Sequence, residues 1–362
     1  MPELDSLRGV AILAVVFYHG LFWSNNLQGL SGAARIAVNL TRFGWLGVNL
    51  FFVLSGFLIT GILAGLKPAE NYYSRFYFRR AVRILPALYA LLFLLCFIPR
   101  QNYKYLLLSF LFCANLAPLL HVASTYPVLW SLAVEEHFYL LWPWAVRRLG
   151  RRWLYSLIAI LLLGAPIMRG MAFARPLPEG LGTFTWQVCD GIASGALLAL
   201  LIREPWMSRR VLAWISWSSL ALAGLGLAAG APFGVLTRNE PAGGIFMLSL
   251  INLTFAGLVG IAVWCASGPR AAVVEWKILS FYGNISYGLY LYHLLAFMLF
   301  DWAWSAFWPR ATTSLGVAPV LFLRFGVALA LATGVSYISR WYFEEIFLKW
   351  KLQPQKAAEL QN

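Results

Sequence analysis

Apolar runs about the length of a bilayer crossing recur along this chain, separated by short polar segments that carry most of its charge. A helix needs about 20 predominantly apolar residues to span the hydrocarbon core, or fewer where polar groups are held inside a bundle. Ten segments answer to that description: 7–23, 45–66, 84–98, 131–146, 153–168, 183–202, 211–230, 243–266, 278–300 and 317–345. A further apolar stretch, Tyr105 to Leu120, has no basic flank to place it and reads as a short interfacial or re-entrant helix. The pattern therefore predicts an all-α polytopic integral membrane protein with about ten transmembrane helices plus that short helix. No internal repeat and no long linker interrupts it, so 1–350 reads as one transmembrane domain and 351–362 as a polar cytoplasmic tail. No soluble catalytic domain is expected after the last span, and any chemistry is expected from the membrane bundle itself.

Charge gives the layout an orientation, because cytoplasmic loops are enriched in Lys and Arg. With the N-terminus inside and the spans alternating, the inner segments hold 19 of the 28 Lys+Arg. The other nine, Arg35, Arg42, Arg100, Lys104, Arg169, Arg175, Arg238, Arg310 and Arg324, fall outside. A full crossing at Tyr105 to Leu120 would turn every later basic cluster outward, so both termini are expected in the cytoplasm. Composition agrees: 61% hydrophobic and 12% charged residues exclude an ordinary soluble domain, which is about half apolar and a quarter charged. The net charge of +14 makes no case for nucleic acid, since the basic residues sit in short clusters between apolar runs. Glu3 and Asp5 precede the first apolar run and no small-x-small site follows it. That segment reads as an uncleaved span, not a signal peptide. Cys96, Cys113, Cys189 and Cys265 show neither metal spacing nor a disulfide framework, and read as small buried hydrophobes; no metal is expected.

Charged and titratable side chains in lipid are costly and mark functional candidates. Four places stand out. In the first span, Arg8 and His19 are eleven residues apart. That spacing puts them within about 20° of one helical face and about 16 Å apart along it. Histidine is the side chain best able to take and return a proton near neutral pH. Ahead of the third span, Arg80 and Arg83 stand at i and i+3 on one face, a fork pair suited to phosphate. An ordinary positive-inside cluster has the same charge. At the start of the fourth span, Ser131, Glu135 and Tyr139 form an i, i+4, i+8 stripe, with Glu136 and His137 beside it. Its carboxylates either orient a histidine or bind sugar hydroxyls, or simply favour the helix dipole. In the ninth span, His293 lies about 22 Å from the inner start, in the outer half. Packing within the bundle explains it equally well.

These motifs together resemble the membrane acyltransferase 3 family. The matching segments are Leu4-Asp5-Ser6-Leu7-Arg8-Gly9 with His19, Phe51 to Ile59, Phe78 to Pro86, Trp130 to Glu136, and Ile285 to Tyr290. The resemblance implies a roughly ten-span enzyme that O-acylates extracytoplasmic or lipid-linked carbohydrates such as polysaccharide or lipopolysaccharide. It implies acetyl-CoA or another acyl-CoA as donor, and a bacterial inner membrane as location. It assigns His19 to the acyl-transfer centre with Arg8, Glu135 and Glu136 in support, and Arg80 and Arg83, aided by Arg8, to the CoA phosphates. Ser131, Tyr139 and His293 are expected to meet the acceptor. His137 stands where the family commonly has Gln. Some members carry an appended hydrolase-like domain on the outer side, and this chain is expected to lack it. The expected partners are acyl-CoA, a carbohydrate or lipid-linked glycan, and membrane lipids, with no nucleic acid. The expected geometry is one continuous channel from Arg80 and Arg83 to His19. The rival is a proton-coupled secondary transporter of a polar solute, against which no paired interrupted helices in matching halves are found.

Overall fold

The computed structural model describes residues 2–23, 29–174, 183–266, 268, 275–308 and 315–349, and every regular element among them is helical. The tail expected at 351–362 lies outside the described residues, as do Arg175, Arg270, Arg310, Lys351 and Lys356.

The first span forms α1 (Pro2–Phe17), which widens into a π-helical turn over Tyr18–Trp23. After α2 (Gly32–Leu40) and a 3₁₀ turn comes α3 (Gly47–Leu66). The third expected span begins earlier than its apolar run: α4 is Tyr72–Leu95. Arginine and aromatic residues are adequate helix formers, and buried Tyr72 and Phe76 dock the first turns of α4. The basic segment is therefore part of the helix and not a loop. The stretch Tyr105 to Leu120 gives α5 (Tyr103–Phe110) and a separate 3₁₀ segment, Ala114–Leu120, closed by His121 at φ 52°. Eight helical residues reach only about 12 Å, too short to cross.

Then follow α6 (Leu129–Arg148), α7 (Arg151–Ala174), α8 (Thr185–Leu201), α9 (Arg209–Gly230) and α10 (Leu248–Ala266). The expected single span 278–300 is instead two helices, α11 (Lys277–Asn284) and α12 (Ser286–Phe307), broken at Ile285 with φ −98° and ψ 5°. The break lets α11 lie along α1. A Cβ at Gly9 would strike the Leu279 carbonyl, and one at Gly283 would strike the Asp5 carbonyl. The last helices are α13 (Val317–Ile338) and, after a π-helical turn, α14 (Glu344–Leu348).

Among the described residues, six stretches are long and apolar enough to cross a membrane: Glu3–Trp23, Gly32–Leu66, Arg151–Phe173, Arg209–Phe233, Gly243–Ala266 and Val317–Leu348. The other expected spans correspond to α4, α6, α8 and α12. They fall short in length or apolarity, and α4, α6 and α12 supply much of the polar lining described below.

Large apolar side chains such as Leu140, Leu141, Trp144, Trp153, Ile160 and Trp214 point outward. The interior holds tyrosines whose hydroxyls donate to backbone carbonyls: Tyr72 to Pro143, and Tyr126 to Leu291 at 2.6 Å. A buried hydroxyl left unpaired would cost free energy, so these bonds set how deeply each ring can sit.

Candidate functional site

Two cavities lie end to end inside the bundle. Chain direction separates them. The first is lined by early residues of α1 and α12, by Arg80, Arg83 and Ile84 near the middle of α4, and by α3 from Val48 as far along as Ile62. The second is lined by the end of α1, the start of α3, Trp130 at the start of α6, the end of α7 and the start of α8. They share only Val48, Phe52 and Tyr290.

The first, with about 280 Å³ of free space, is an arginine cavity. Arg8, Arg80, Arg83, Ser131, Glu135 and Tyr139, all singled out in the sequence, line it together. Arg8 donates to Asp5 at 3.4 Å and to Ser286 at 3.1 Å. The Arg80 guanidinium lies 3.6 Å over the Tyr139 ring and 3.9 Å from Glu135. Glu135 is held by the Ser55 hydroxyl at 2.9 Å and by the Tyr139 hydroxyl, one turn on, at 2.8 Å. The i, i+4, i+8 stripe of α6 thus faces one space, as helical periodicity dictates.

Three guanidinium groups meet two carboxylates here, Asp5 and Glu135, which leaves a positive excess. Arg83 is open to the cavity and makes no hydrogen bond or ion pair with the described residues. The Arg80 Nε is buried without a hydrogen-bond partner among them. Donors left over in this way fit an anion with several acceptor oxygens.

The second cavity is larger, about 1370 Å³, and carries an aromatic cluster, with Tyr18, Phe22, Trp23, Phe43, Trp45 and Trp130 in its wall. His19 lines this cavity and not the first. The expected single channel is therefore divided: Val48, Phe52 and Tyr290 stand between the arginines and His19. The Tyr290 hydroxyl donates to the Val128 carbonyl at 2.9 Å and shares a 2.5 Å hydrogen bond with Ser131.

His19 has a partner that its own motif does not disclose. His293, fully buried, places Nε2 3.2 Å from the Nδ1 of His19. The Nδ1 of His293 lies 3.0 Å from the Leu289 carbonyl and 2.8 Å from that of Tyr290. Carbonyl oxygens only accept, so this nitrogen carries the proton. In neutral His293, Nε2 is then an acceptor, and the His19 Nδ1–H donates to it. The backbone at Val15, one turn earlier, is a further partner of the His19 ring, as Leu289 is of His293. Neutral His19 in this tautomer carries its lone pair on Nε2.

The π-helical turn that bears His19 is itself clamped. Arg324 donates to the Gly20 carbonyl at 3.1 Å and is held by both oxygens of Asp301 at 2.6 and 2.8 Å. Nothing in the apolar pattern singles out Asp301 and Arg324, beyond their being charges inside spans. Asp5, Ser55, Ser286 and Tyr290 were legible only as members of their motifs.

The neighbours on α6 diverge. Glu136 lies outside both linings, its Oε1 buried without a hydrogen-bond partner among the described residues. His137 bonds Thr185 on α8 at 2.7 Å and lines neither cavity. Glu135 faces the arginine cavity, and the side chain that meets the His19 ring at hydrogen-bond distance is His293.

A family model described as an acyltransferase domain, Acyl_transf_3, matches residues 1–341. The chain is 28% identical over 326 residues to the peptidoglycan O-acetyltransferase OatA of Listeria monocytogenes, covering 81% of this chain and 49% of that protein. It is 27% identical over 325 residues to the O-acetyltransferase OatA of Staphylococcus aureus strain NCTC 8325, covering 81% of this chain and 50% of that one. It therefore spans about half the length of these curated relatives. No solved structure matches significantly.

Proposed function

The chain belongs to the Acyl_transf_3 acyltransferase family, and from that premise we propose that it is a membrane O-acyltransferase. It would move an acyl group, in the first place acetyl, from cytoplasmic acyl-CoA to a hydroxyl of an extracytoplasmic or lipid-linked carbohydrate. The observation that carries the reading is the pair of cavities whose linings meet at Val48, Phe52 and Tyr290, with arginines in one and His19, backed by buried His293, in the other. The relatives' names point to cell-wall glycan as the first acceptor to test.

Residues 1–350 form the catalytic membrane domain in this reading. Counting α4, α6, α8 and α12 with the six apolar stretches gives ten crossings, with both termini in the cytoplasm of a bacterial inner membrane. The arginine cavity then opens inward. Arg83 and Arg80 bind the donor's phosphates, with Arg8 assisting, and Glu135 holds Arg80 in place. A pantetheine arm of about 15–20 Å matches the Arg8-to-His19 rise of about 16 Å. It would pass the Tyr290 wall.

At the far end, His19 Nε2 takes the proton of the acceptor hydroxyl as its oxygen attacks the thioester carbonyl. His293 accepts the hydrogen bond from Nδ1 and keeps the ring in the basic tautomer. The carbon–sulfur bond breaks, the new ester forms, and the proton on His19 passes to the departing thiolate. His19→Ala should abolish thiol release from acetyl-CoA by protein in liposomes while leaving insertion and monodispersity intact. Wild-type turnover by that variant would exclude this mechanism. Cavities back to back would also serve a proton-coupled carrier of a polar solute. Solute uptake into liposomes without any acyl donor would favour that reading instead.

A further inference from the structure

A π-helical turn is rare, and such turns are frequent at functional sites. The one at Tyr18–Trp23 carries His19, and a side chain borne on it aims only as well as its backbone is held. Two neighbouring helices hold it. Arg324, on α13, donates from Nη1 to the Gly20 carbonyl at 3.1 Å. Its other two nitrogens, Nε and Nη2, donate to Oδ1 and Oδ2 of Asp301, on α12, at 2.6 and 2.8 Å. A guanidinium is planar and rigid, and a carboxylate that takes two of its donors fixes that plane. Asp301 therefore sets where the remaining Nη1 points, and it points at the residue after His19. The Phe297 ring supports the guanidinium from one face, its centre 4.7 Å from the central carbon. Contact is so close that a Cβ on Gly20 would strike the Phe297 and Phe325 rings.

α12 thus reaches the His19 turn twice. His293 meets the ring. Asp301, about two turns further along, fixes the backbone through Arg324. The 3.2 Å hydrogen bond between the two rings tolerates little drift, because such bonds weaken steeply as distance and angle depart from ideal. Reacting groups must be held within about 0.5 Å of their working geometry. Asp301 and Arg324 lie outside the linings of both cavities, so their effect on a substrate runs through His19. A buried guanidinium within a span is costly, and Arg324 is buried with Asp301 exposed beside it.

We propose that Asp301 and Arg324 are positioning residues for acyl transfer: they hold the peptide after His19 so that its ring keeps the hydrogen bond to His293 and presents Nε2 to the acceptor. The part played in transfer rests on the transferase reading; the mechanical part, that the pair fixes the Tyr18–Trp23 turn, does not.

The mechanical part is read by amide hydrogen exchange of the full chain in detergent. In Asp301→Asn no carboxylate takes both donors, and peptides covering Tyr18–Trp23 should exchange about tenfold or more faster, the scale of one hydrogen bond to a charged group. Peptides of α9, which packs on α10, should keep wild-type rates. Asp301→Glu keeps the carboxylate and should recover part of the protection. Arg324→Lys keeps the charge but offers one nitrogen in place of the fork, and should behave like Asp301→Asn. Wild-type protection of the turn in both Asp301→Asn and Arg324→Lys overturns the proposal.

The part in transfer is read by kinetics at a temperature where every variant is folded. Asp301→Asn and Arg324→Lys should lower kcat on the order of tenfold or more, with the KM for acetyl-CoA unchanged, and Asp301→Glu should regain part of kcat. A pair that only stabilised the bundle would lower the melting temperature and leave kcat unmoved, and that result overturns the proposal. A single variant that leaves a buried charge without its partner can fail to fold. The double variant Asp301→Leu with Arg324→Met then decides, since it removes both charges together with the donor to Gly20. It must show the same faster exchange and the same loss of kcat. Faster exchange in the variants with no transfer by the wild type under any acceptor leaves the clamp standing and removes the transferase reading beneath it. Transfer by the wild type with kcat unmoved in every variant does the reverse.

Discussion

A histidine acts as a base only in the tautomer that leaves its reactive nitrogen bare, and a residue far away in the chain sets that tautomer for His19. Two carbonyls fix the proton on His293 Nδ1, and its Nε2 then takes the His19 Nδ1–H at 3.2 Å. His293→Leu removes the acceptor, and kcat for acyl transfer should fall on the order of 10²-fold, the scale of a misdirected general base. The KM for acetyl-CoA should hold, because the arginine cavity is untouched. His293→Gln offers an amide oxygen in the same direction and should restore part of kcat. A loss shared equally by kcat and KM, with no rescue by Gln, would mean that His293 only packs. At this scale the sequence was most informative where chemistry is local. Arg80 with Arg83, and the Ser131-Glu135-Tyr139 stripe, were readable because helical spacing puts them on one face. The His19–His293 contact joins residues 274 positions apart, and no local period encodes it.

The helix boundaries that matter most are the irregular ones. A π-helical turn at Tyr18–Trp23 carries His19, and the break at Ile285 separates α11, packed along α1, from α12, which brings Tyr290 and His293 inward. Hydrophobic period located both spans yet could not show either irregularity. A π turn and a broken helix keep the same apolar content, and tertiary partners such as Arg324 on the Gly20 carbonyl decide the local path. Tyr290, three residues from His293 on α12, forms the wall between the cavities with Val48 and Phe52. If that wall keeps water from the donor, Tyr290→Ala should raise acceptor-independent thiol release several-fold. Tyr290→Phe, which keeps the ring and loses only the hydroxyl's bonds to Ser131 and Val128, should leak far less. A Tyr290→Ala enzyme as tight as the wild type would mean that Phe52 and Val48 seal the wall without it.

For the whole molecule, the arrangement depends on which end of the bundle meets the cytoplasm. The apolar pattern and the distribution of basic residues propose that orientation from sequence, and the two cavities lie toward opposite ends of the bundle. The arginine cavity lies toward the end bearing Lys67 and Arg75, the aromatic cavity toward the end bearing Arg42 and Arg238. The cavities themselves were not legible, because free space arises from which faces meet, and composition records only that the faces are polar. Donor entry from one side and acceptor entry from the other require these ends to lie across the membrane from each other. In right-side-out vesicles, with the four native cysteines replaced, a membrane-impermeant maleimide should label Arg238→Cys at once and Lys67→Cys only after permeabilisation. Both residues are exposed, so failure to label would not come from burial. Labelling of the two from the same side would put both cavities on one face of the bilayer. The transfer would then need no passage through the Tyr290 wall, and that wall would divide two compartments of the same solvent.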